Sequence, residues 1–74
     1  MGVVKVLELV GESNNGFEDA IQQAVHRAGS VVNGITGVEV LNMTADVQGN
    51  EIMEYKANIK VAYLADDGEV RGDM

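Results

Sequence analysis

The chain has no cysteine and no tryptophan, a single histidine, and five basic residues against twelve acidic ones. Without cysteine, no disulfide can brace the fold. The formal net charge of -7 at pH 7 opposes nucleic acid and anionic lipid as partners, since both demand a basic footprint. No apolar run is long enough for the core of a signal peptide or for a membrane span. We therefore expect a cytoplasmic protein that engages neither nucleic acid nor membrane. Catalytic groups are scarce too: His26 has no evident serine and acid partner, no glycine loop is built to cradle phosphate, and no carboxylates pair on a buried face. An enzyme is not expected.

What is present is a single domain's worth of alternating apolar sequence. A domain of 74 residues buries only about 60 % of the surface its unfolded chain exposes. Small proteins offset so thin a core with disulfides, a metal or oligomerisation. With disulfides closed, oligomerisation is the favoured expectation.

"VVKVLELV" at residues 3–10 is rich in β-branched residues and reads as a first strand. In "GESNNGFEDAIQQAVHRAGSVVNG", Phe17, Ala20, Ile21, Ala24, Ala28, Val31 and Val32 recur at spacings of three and four, the apolar stripe of one amphipathic helix. Ser13 is its expected N-cap, with Glu18 and Asp19 near the positive end of the helix dipole and Asn33–Gly34 as the stop, giving roughly 18 residues. Residues 37–47 and 51–64 then flank "QGN", and Gly49–Asn50 fits a two-residue type II′ hairpin turn. In that register facing residues sum to 99, so Val38 meets Val61 and Val40 meets Ile59 on the helix side, while Glu39 meets Lys60 on the other. A bulge would shift the register by one and spoil this sorting.

The order is strand, helix, strand, strand. A right-handed crossover leaves the first two strands parallel with a gap, which the third fills antiparallel to both. The expected fold is α+β, β-α-β-β, with one helix on a three-stranded antiparallel sheet of order 1-3-2. One helix covers one face, so the face of Lys56, Asn58 and Lys60 must meet solvent, a ligand or another subunit. Residues 1–64 form the domain, and 65–74, "ADDGEVRGDM", an acidic, mobile tail.

The opening "KVLELVGES", the helix running into "AVHRAGSVVNGI", the "VEV" strand and the final "YKANIKVAY" together resemble the dodecin family of small flavin-binding proteins. The resemblance covers roughly residues 3–64 and is most specific at the junction into the helix and in the tyrosine-led central strand. It implies a hollow homododecamer whose uncovered sheet faces meet and line flavin sites, for riboflavin or FMN. Flavin-binding members typically place a tryptophan at the start of the second strand, stacked on the ring, and a glutamine after the strand tyrosine. Gly37 and Lys56 stand at those positions here. Asn42 lies near where the family often has an acidic residue, and Asn58 shares the uncovered face with Lys56. Gly37, Asn42, Lys56 and Asn58 are thus the candidate ligand residues, with no metal ligand and no catalytic residue among them.

Plainer readings account for the remaining features. His26 lies toward the polar edge of the helix stripe, without neighbouring metal ligands. The acidic turn of Asp66, Asp67 and Glu69 lacks the ligand spacing of a calcium loop, and "RGD" at 71–73 is a short chance match. The function expected is a cage that sequesters flavin without chemistry. The alternative is a flavin-free cage of structural or divalent-cation-binding (calcium) type. A small partner-binding module using the sheet edge is a third reading, and it predicts a monomer or dimer.

Overall fold

The computed structural model describes residues 3–64; the expected acidic tail lies outside the described residues. Strand β1 runs Val4–Ser13, helix α1 Phe17–Gly29, strand β2 Ile35–Gln48 and strand β3 Glu51–Leu64. The sheet order is β1-β3-β2, with β3 antiparallel to both neighbours. The fold is the expected β-α-β-β, one helix on a three-stranded antiparallel sheet.

Strand β1 continues three residues past the β-branched run because Gly11, Glu12 and Ser13 still pair with Ala57, Lys56 and Tyr55. That extension pushes the helix start along the chain. Gly16, not Ser13, is the N-cap residue, and it offers no side-chain cap. Ser13 is buried and already engaged: its Oγ donates to Asp19 Oδ2 at 2.5 Å and accepts from the Asn15 N–H at 2.9 Å. The helix has 13 residues rather than roughly 18. Its last turn closes on Ser30, whose N–H and Oγ both donate to the Arg27 carbonyl, at 3.0 and 2.7 Å. Gly34, with φ 74, starts the next pairing instead of stopping the helix, and its carbonyl accepts from the Leu64 N–H at 3.2 Å.

Ala20, Ala24 and Ala28 form the buried face of α1, against Ala57, Ile59 and Val61 of the central strand. Small residues on both sides bring helix and sheet close. A Cβ at Gly11 would overlap the Ala20 carbonyl oxygen and lie 3.0 Å from the Ala24 Cβ. Leu7, Leu9, Ile21, Val25 and Ile35 pack around this core half-buried. The helix lies over β1 and β3, so Val38 and Val40, although on its side of the sheet, stay 45 % and 39 % exposed.

The hairpin turn differs in type. Gly49 has φ 59 and Asn50 φ 68, and positive φ at both central residues is type I′, not II′. The pairings Val38↔Val61, Glu39↔Lys60 and Val40↔Ile59 occur as expected. Between them and the turn, however, the ladder is shifted: Asp46 faces Glu54 and Asn42 faces Asn58, with irregularities between Val40 and Asn42 and between Asp46 and Val47. Met53 is the extra residue on one strand and Leu41 on the other, so the two shifts cancel. Far from spoiling the sorting, they improve it. An unshifted ladder would set Met43 against Lys56 and Asn42 against Ala57; the observed one sets Met43 against Ala57 and Thr44 against Lys56.

Candidate functional site

From Glu54 to Leu64, the even-numbered residues of β3 point away from the helix. Across from them stand Val4, Val6, Glu8, Val10 and Glu12 of β1 and Gly37, Glu39, Asn42, Thr44 and Asp46 of β2. No element of the described chain covers this second face. Val4, Val6 and Val10 are more than half exposed on it, at 55 %, 58 % and 58 %. Such a strip of β-branched side chains beside amides and charges marks a surface made for contact.

All four candidate ligand residues lie on this face. Asn42 and Asn58 are cross-strand partners, and Lys56 is one step along the same face, opposite Thr44 on one side and Glu12 on the other. Gly37 is set apart: it faces Ala62, four residues from Asn58, or roughly 13 Å at about 3.3 Å per residue. A Cβ at Gly37 would meet nothing within 4 Å. The position is therefore open ground, with no neighbour that requires a glycine.

The lysine is not a loose cation. Its Nζ lies 3.2 Å from Asp46 Oδ2 and 4.0 Å from Glu12 Oε2. The hydrogen bond to Asp46 and the charge of that carboxylate hold the ammonium above its ordinary value, with Glu12 and Glu54 adding smaller contributions. Asp46 and Glu12 thus join Lys56 on this face, and residue-type matching did not find them. Asp46 was hidden by the register shift, which moves it onto the lysine's face. Glu12 was hidden because β1 was expected to end at residue 10.

Asn58 carries a different signal. Its Oδ1 is shielded from solvent and accepts no hydrogen bond, a condition that costs about 1–3 kcal/mol for a buried acceptor. The Asn42 side chain opposite, or a hydroxyl or N–H brought in from outside, can supply the missing donor once the amide turns.

Two clefts among the described residues lie away from Gly37, Asn42 and Asn58, although Asp46 lines the first. One of about 390 Å³ sits at the hairpin end, lined by Asn14, Asp46, Val47, Gln48, Met53 and Glu54. Another of about 480 Å³ runs beside the helix, past Val25, His26 and Ile35. A flat face such as the Gly37–Asn58 region becomes a pocket only when a second surface is laid over it. His26 is exposed, and no cluster of three or more potential metal ligands occurs among the described residues. No helix of the described residues is long and apolar enough to cross a membrane.

The dodecin family model matches residues 3–66. A solved point mutant of the dodecin from T. thermophilus is 31% identical, covers 88% of this chain and 97% of that chain, and superposes with a TM-score of 0.83. A calcium dodecin from Mycobacterium tuberculosis, described as calcium-chelating with a novel calcium-binding site, is 25% identical over 99% of this chain and 97% of that chain, TM-score 0.77. A dodecin from Streptomyces davaonensis shares the fold at 23% identity, 88% and 96% coverage, TM-score 0.82. No curated protein matches the sequence.

Proposed function

The chain belongs to the dodecin family, and we propose that it forms a cytoplasmic homo-oligomeric cage, a homododecamer as the family resemblance implies. This cage binds a flavin between uncovered sheet faces and sequesters it without catalysing a reaction. The observation that carries the reading is the second face: uncovered, carrying the exposed Val4, Val6 and Val10 of β1, and bearing neutral amides at Asn42 and Asn58 with the bare Gly37 further along it. The residues present fit a flavin in part. The ring's polar edge and ribityl hydroxyls match the two amides and Thr44, and the orphaned Asn58 Oδ1 suits a ligand rich in donors. Gly37 leaves room for a ring but no π-face to stack on it. Stacking on an aromatic is worth roughly 1–3 kcal/mol per base in nucleic-acid systems, so affinity by analogy falls about ten- to a hundredfold below that of a member with the tryptophan. A bound flavin would supply a photoreactive ring, and burial would keep that ring out of solution.

A second reading is a flavin-free cage that holds divalent cations such as calcium. Its support is the likeness to the calcium dodecin together with the chain's net charge of -7.

Native mass spectrometry with and without riboflavin, FMN and calcium tests both readings. A multi-subunit species that gains flavin mass supports the first, and the Gly37→Trp variant is expected to bind flavin about tenfold more tightly or better. An assembly that gains only calcium moves the assignment to the second reading. A monomer contradicts both.

A further inference from the structure

We propose that Asn33 is a site of spontaneous deamidation, in which the backbone nitrogen of Gly34 displaces the side-chain amide nitrogen, and that the isoaspartyl product unseats the start of β2. The chain joins asparagine to glycine twice, at Asn15–Gly16 and at Asn33–Gly34. Glycine has no Cβ to obstruct the approach of its own nitrogen to the preceding side chain, so at these two steps the cyclisation is sterically open. The fold treats them differently.

Val32 is the last residue tied back to the helix, its N–H donating to the Ala28 carbonyl at 2.9 Å. Gly34 is the first tied to the sheet, its carbonyl accepting from the Leu64 N–H at 3.2 Å. Asn33 lies between them, exposed and outside both helix and strand. Among the described residues its side chain makes no hydrogen bond, and the Gly34 N–H donates to no backbone carbonyl. Neither reacting group is held back. At the other step the Asn15 N–H donates to Ser13 Oγ at 2.9 Å, the Asn15 side chain donates to Asp19, and the Gly16 carbonyl accepts from the Ala20 N–H at 3.0 Å. Cyclisation there must first open the junction between β1 and α1.

In the reaction the Gly34 nitrogen loses its proton and bonds to Asn33 Cγ, the Cγ–Nδ2 bond breaks, and ammonia leaves. Water then opens the cyclic imide. Cleavage of the new Cγ–N bond gives aspartate, whereas cleavage of the original peptide C–N bond leaves the main chain running through Cβ and Cγ, a methylene longer. That methylene enters directly before Gly34, whose φ of 74 and bond to Leu64 set the entry into the Ile35↔Tyr63 pairing. Ile35 packs half-buried against the core, so the disturbance reaches beyond the surface.

The test is peptide mapping by mass spectrometry of the full chain aged in mildly alkaline buffer, folded and in urea. In the folded protein Asn33 is expected to convert roughly tenfold faster than Asn15, the factor set by breaking about one net hydrogen bond beforehand. In urea the two rates are expected to converge. Equal rates in the folded protein, or faster loss at Asn15, would overturn the assignment. The aged protein is expected to unfold at a lower urea midpoint than the parent, whereas Asn33→Asp, with its backbone unaltered, keeps the parent midpoint and Asn33→Gln resists ageing. An aged midpoint equal to that of Asn33→Asp would uncouple the modification from β2 and overturn the second half of the proposal. The rates at Asn15 and Asn33 of the unaltered protein decide the first half whatever the variants do.

Discussion

Ser13 shows how one residue type serves two different structural ends. Serine ahead of an amphipathic stripe is the usual mark of a helix cap, yet here it sits three residues before Gly16 and joins the end of β1 to the first helical turn through Asp19. The hydrogen bond from Ser13 is the main reason the Asp19 carboxyl lies below its ordinary value, with Gln23 and Asn15 helping and lost hydration opposing. A carboxyl depressed in the folded state contributes stability that is present above its unfolded value, about pH 4, and lost as pH falls through the lower folded value. Unfolding by urea at neutral and at acidic pH should therefore show a drop in midpoint on acidification that is smaller in Ser13→Ala, which starts from a lower midpoint at neutral pH. An unchanged acid-induced drop in the variant would assign the effect to another carboxyl. The candidate ligand residues were more legible: Lys56 and Asn58 are placed on the outer face by simple alternation. Asn42 was not placed by it, because only the extra residue Leu41 turns it to that side.

The elements were readable where their pattern is long and regular. The helix, both hairpin strands and the sheet order follow from spacing, the Gly49–Asn50 turn and the handedness of the crossover. The limits are local hydrogen-bonding matters that no periodicity records. Nothing in the composition of Gly11, Glu12 and Ser13 announces a strand, since what holds them there is pairing with β3. The two compensating irregularities likewise leave the register on either side of them unchanged, and so hide from a count by twos; a third, between Ile35 and Gly37, lies at the start of β2. Gly11 gives the clearest element-scale prediction. With the Ala20 carbonyl occupying the space of its absent Cβ, Gly11→Ala must force β1 and α1 apart and open the thin alanine core. Overpacking of this kind typically costs about 1–3 kcal/mol or more. A denaturant midpoint within error of the parent would mean that helix and strand adjust freely at this crossing.

At the scale of the whole molecule, the described chain measures 49 × 20 × 17 Å, a long hairpin with a core at one end only. β1 stops pairing at Tyr55, and beyond it Val47 and Ile52 face each other 63 % and 51 % exposed. Burying such side chains is worth roughly 1.5–3 kcal/mol each, which an isolated chain forgoes and an assembly recovers. Val47→Asp combined with Ile52→Asp is expected to shift the protein to smaller species in native mass spectrometry. Retention of the parent assembly would place the interface elsewhere, on the Val4, Val6 and Val10 strip. The strand order has a temporal consequence as well. β1 and β2 each bond only to β3, the last of the three to be synthesised, so a growing chain has no partner to offer its first strand. The β1–β3 ladder joins residues about as far apart in sequence as the fold contains, a long closure of the kind that slows folding. The sheet is therefore completed only after β3 has been made, and the surfaces on which subunits would meet are created last.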